Sequence, residues 1–134
     1  MRTLALLCAL TATLTAADLT GIWVGQYPGR NNEPIDIAFQ FQHKGEVLAG
    51  KLYGDFKSMR IVEGKVTGDE VIFIVIAEEQ AGNQINETRL KFTGTLKGGE
   101  LELTRERESS RNAGNGGEVQ SRNNTKLTFR LKRL

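Results

Sequence analysis

Hydrophobic and polar residues alternate along most of this 134-residue chain. The cleanest case covers residues 35–42. Ile35, Ile37, Phe39 and Phe41 fall on one face; Asp36, Ala38, Gln40 and Gln42 fall on the other. Spacing of two marks a strand with one face buried. The same reading predicts eight strands, over residues 20–27, 35–42, 47–53, 60–67, 71–77, 85–96, 100–107 and 124–132. Turn signals separate them, among them Pro28-Gly29, Gly45, Gly68-Asp69 and Gly98-Gly99. Gly98-Gly99 supplies the positive φ that a two-residue hairpin requires. Residues 78–83 read as a connection and 109–122 as a long loop around Gly114-Asn115-Gly116-Gly117. No long helical period occurs. The run from Gly64 to Val71 echoes that from Gly94 to Leu101, a repeated hairpin unit with shared turn chemistry.

Consecutive strands with short connections pair with their neighbours. A flat meander would leave two open edges, and closure removes both. The predicted fold is therefore all-β: an eight-stranded antiparallel up-and-down (meander) β-barrel. A two-sheet sandwich of the same strands is the alternative. An eight-stranded barrel has an interior that side chains fill or that holds one small ligand.

The front of the chain reads differently. Arg2, the apolar stretch Leu4 to Leu14 and the small residues Thr15-Ala16-Ala17 form the pattern of a cleavable signal peptide over residues 1–17. The stretch is shorter than the ~20 residues a bilayer core demands. Residues 18–134 are then a single barrel domain, secreted or periplasmic, with no membrane span in the mature chain. The one cysteine, Cys8, leaves with the signal, so no disulfide is expected. A formal net charge of +2 gives no footprint for nucleic acid.

Candidate chemistry is sparse. His43 is the only histidine and is expected in an exposed turn, so a Ser-His-Asp triad or a zinc site lacks its parts. Glu78-Glu79 and Glu106 with Glu108 are carboxylate pairs by type, and Glu63 and Glu87 sit where a strand face could turn inward. Outward charges explain all of them. Neither an enzyme nor a cofactor is expected. Asn86-Glu87-Thr88 and Asn123-Asn124-Thr125 match glycosylation acceptors. Two features carry more. Leu101, Leu103, Arg105 and Arg107 share a face, which places Arg105 near a barrel end, where its guanidinium could meet a ligand carboxylate. Residues 71–77 are apolar on both faces, so an outer stripe of Ile72, Ile74 and Ile76 asks for a cover: a second copy or another protein.

Asp18-Leu19-Thr20-Gly21-Ile22-Trp23 resembles the opening Gly-x-Trp strand of lipocalin-like barrels, and more weakly of avidin-like ones. Gly45 to Leu52 resembles their next Gly-rich hairpin. The chain is also similar to small secreted bacterial barrel domains. The likeness implies a calycin-like fold, in which an Arg near the chain end lies over the Trp and closes one barrel end. Arg130 and Arg133 are the positions that match. A lone Trp departs from the avidin-like biotin site, and no helix follows the last strand. The expected function is a noncatalytic barrel binding a small, mainly apolar molecule. Its wall would be Trp23, Phe39, Phe41, Phe92, Leu103, Arg105 and Phe129, with Ile37, Leu90 and Leu131. The alternative is a packed interaction or inhibitor module using the outer face of strand 71–77 or the 108–122 loop.

Overall fold

The structure is a computed structural model that describes residues 18–54, 57–119 and 126–134. The expected signal peptide and the second glycosylation acceptor lie outside the described residues. Eight strands form one closed sheet in chain order: β1 (Gly21–Pro28), β2 (Pro34–Lys44), β3 (Val47–Leu52), β4 (Met59–Thr67), β5 (Glu70–Ala81), β6 (Gln84–Lys97), β7 (Glu100–Asn112) and β8 (Leu127–Arg133). Every pairing is antiparallel, and β8 returns to β1. This is the up-and-down barrel; the sandwich is excluded. Among the described residues no helix is long and apolar enough to cross a membrane.

Four hairpins turn in two residues, each led by a glycine: Gly45, Gly68, Gly82 and Gly98, with φ between 56° and 63°. Such primed turns match the right-handed twist of the flanking strands. Curvature has its own device at Gly50. Its φ is 137°, and a Cβ there would collide with the Gln40 carbonyl of β2. Glycine lets the two backbones approach and bend the sheet.

The inward positions make one core. Phe39, Phe73, Phe92, Leu101, Leu103, Val75 and Leu131 are fully buried, and Trp23 and Phe41 nearly so. Phe73 and Phe92 face each other across β5 and β6 and stack at 4.9 Å. Phe39 stacks on Phe41 at 5.4 Å and meets Phe73 edge-on at 5.6 Å. Each buried phenylalanine contributes roughly 1.5–3 kcal/mol of transfer energy, and these ring geometries add to it.

Two strands run well past the ends expected from the sequence. β5 continues to Ala81 and turns at Gly82-Asn83, where a six-residue connection was expected. β7 continues to Asn112, so Glu108–Asn112 is strand and not loop. Together with the start of β6 they form a three-stranded projection beyond one rim. Its polar residues have no apolar core beneath them, so alternation could not mark it.

Candidate functional site

The two rims are built differently. One holds the tight turns at Gly45, Gly68 and Gly98. The other holds residues 29–33, the described ends of the connections β3–β4 and β7–β8, and the projecting hairpin.

The first rim is closed by residues 18–20. The Leu19 side chain is 1% exposed. Its carbonyl accepts a hydrogen bond from Trp23 Nε1 at 2.9 Å, and its backbone N–H donates to His43 Nδ1 at 3.2 Å. His43 Nδ1 is therefore the acceptor nitrogen, and Nε2 donates to the Gly45 carbonyl at 2.8 Å. The expected exposed turn is corrected here: His43 lies in β2, with a side chain only 5% exposed. Inward parity at 37, 39, 41 and 43 explains this. Arg133 lies 4.8 Å from the Trp23 ring centroid. It donates to the Thr20 carbonyl at 2.6 Å and to the Asp18 carbonyl. Arg130, the other candidate for this position, faces outward and pairs with Glu102 and Glu100 on the barrel wall. Asp18 caps the segment. Its carboxylate accepts from the Thr20 backbone N–H at 2.9 Å, and this bond, with smaller help from the Thr20 side chain and Arg133, holds its pKa below the usual value.

The described residues of the second rim are largely polar. Tyr27 of β1 leans on Phe129 of β8, with centroids 6.0 Å apart. Arg105 lies over the Tyr27 ring, 5.5 Å from its centroid. Behind it Arg107 is fully engaged. Its guanidinium donates to both oxygens of Glu79, at 3.2 and 3.3 Å, and to Ser110 Oγ at 3.2 Å. Thr88 and Ser110 bond to each other at 2.9 Å and are buried. Sequence reasoning placed Arg105 at a barrel end and read Glu79 as an outward charge in a connection; the structure places it in β5 on Arg107, and Thr88 and Ser110, also on the projection, were missed. Parity along β7 was the available signal for Arg107; a bulge opposite Arg89 and Leu90 then turns Ser110 inward.

The remaining expected site residues divide cleanly. Trp23, Phe39, Phe41, Phe92, Leu103 and Phe129 all face the interior and pack on one another. On the outside of β5, Ile72 is 38% exposed, Ile76 is half-buried and Ile74 is buried at 6%. The outer stripe is therefore interrupted at Ile74, which sits between Val62 and Lys91 in the ladder. Glu63 and Glu87 also point outward. Glu63 occupies a β4 bulge at φ 52° and pairs with Arg89, while Glu87 pairs with Arg111 at 2.9 Å. Asn86 and Thr88 are buried, which removes that acceptor from the folded surface.

These features define a class: a small closed antiparallel meander barrel, compatible with a lipocalin-like barrel, with one rim plugged and the other polar. No family model, curated protein or solved structure matches the chain.

Proposed function

We propose that the chain is a noncatalytic binding barrel, secreted or periplasmic, that works from its open rim. The observation that carries this reading is the filled interior. Phe39, Phe41, Phe73 and Phe92 are at most 1% exposed and touch ring to ring. A ligand placed among them would have to break that packing, at a cost of several kcal/mol. The rim at half-buried Tyr27 and Arg105 offers amphipathic surface without that cost. The lipocalin-like reading is part of the proposal. It draws on Gly21-x-Trp23 and on an arginine over that tryptophan.

Native mass spectrometry of protein recovered from the cell exterior or periplasm, followed by NMR with a panel of small apolar molecules, tests the reading. We expect a noncovalent adduct and shifts centred on Tyr27, Leu90 and Phe129. Shifts centred on Phe73 and Phe92, or none anywhere, would overturn it.

The outer face of β5 supports a second reading, self-association. Ile72 borders a groove of about 430 Å³ lined also by Lys65, Thr67, Thr93 and Thr104. Replacing Ile72 with Lys should lower the sedimentation mass; an unchanged mass removes this reading.

A further inference from the structure

Resting on the open-rim reading, we propose that the group recognised there is a carboxylate of a small organic acid, held by Arg105 with its apolar body against Tyr27. Arg89, Arg107, Arg111 and Arg130 each have a carboxylate within salt-bridge distance, and Arg133 donates to two backbone carbonyls. Arg60 also lacks a carboxylate partner among the described residues, but it is exposed on the outward face of β4, next to inward-facing Ile61. Arg105 sits among them on an inward-facing strand position. Among the described residues it has no carboxylate partner, and its guanidinium lies 5.5 Å from the Tyr27 ring centroid. The planar fork of a guanidinium matches a carboxylate with two parallel hydrogen bonds. Stacking on a ring fixes the plane of that fork and leaves its edge donors free.

The neighbours sharpen the choice of ligand. Glu79, at an inward-parity position of β5, has both its oxygens taken by Arg107. It therefore does not compete for Arg105, and Arg107 keeps the local charge balanced. Tyr27, partly buried and backed by Phe129, supplies apolar surface beside Arg105. The core below admits nothing long, so a compact acid with a ring or short branched body fits better than an extended chain.

The test compares benzoate and isovalerate with their neutral amides by NMR titration, following the Arg105 Nε–H and the Tyr27 ring. Each acid should bind at least about tenfold tighter than its amide, which one charge-assisted pair supplies. Arg105→Gln should remove that preference; Arg130→Gln, on the outer wall, should keep it. A Tm within a few degrees of the parent confirms that Arg105→Gln folds. Acid and amide binding equally at the rim overturns this inference and leaves the open-rim reading standing. No shift at the rim with either probe overturns both.

Discussion

At the plugged rim, the Arg133 guanidinium lies 4.8 Å from an aromatic centroid; at the open rim, Arg105 lies 5.5 Å from another. The pairs look alike until their hydrogen bonds are compared. Arg133 spends its donors on the Thr20 and Asp18 carbonyls and clamps the 18–20 segment over a buried tryptophan. Arg105 spends none among the described residues. The same stacking contact serves as a lock where backbone carbonyls converge on it. Where they do not, it leaves a presented cation. Burial follows the same division: Trp23 is 1% exposed, whereas Tyr27 is only half-buried.

The most severe way to break this comparison is to truncate the two rings. Trp23→Ala should cost about 3–5 kcal/mol, measured by urea unfolding, because it empties a filled core position and orphans the Leu19 carbonyl. Tyr27→Ala should cost about 1 kcal/mol. Similar losses for both would mean that the open rim is as structural as the plugged one. Next come the arginines. Arg133→Ala should cost about 1–2 kcal/mol and Arg105→Ala about 0.5 kcal/mol. A reversed order would make Arg105 the lock. The third probe is hydrogen exchange. Val66 and Leu96 donate their amides to Glu46 and Asp69 carbonyls at the plugged rim, and their protection should approach that of global unfolding. Residues 78–83 should exchange far sooner, since β4 pairs with β5 only as far as Val75.

The smallest effect concerns acid. Hydrogen bonding from Thr20 depresses the Asp18 pKa in the folded chain. A depressed folded value means that the stabilisation is complete above the ordinary carboxylate range and fades as pH falls through the lowered one. Stability measured from pH 5 down to pH 2 should fall slightly more steeply in the parent than in Asp18→Asn. Identical slopes would show that the cap contributes nothing.

Strand parity made much of this legible in the sequence. Residues 35–41 and 127–131 alternate because one side meets the core, and the structure follows that alternation. Parity extended by one step would also have placed His43 and Arg133 inward and Arg130 outward. The projection was not legible for a physical reason: Glu78, Glu79 and Gln80 pair with a neighbouring strand but bury no apolar face, so no periodicity records them. Ile74 misled in the opposite sense. A β-branched residue on an outer face can be covered by flanking side chains of its own sheet, and composition does not distinguish this from a partner. The bulge at Glu63, with its positive φ, is likewise silent in a sequence that offers a glutamate where glycine would be easier.

The β1–β8 ladder runs only from Trp23 to Gly25 against Leu131 to Arg133, and the clamp it carries joins residues 113 positions apart. Every other seam links chain neighbours. Sealing the cylinder is thus the most entropically demanding step of folding and must wait for the final strand. Until then the first strand presents a bare margin, so the kinetics of that last zipper set how long nascent copies can cross-pair and aggregate.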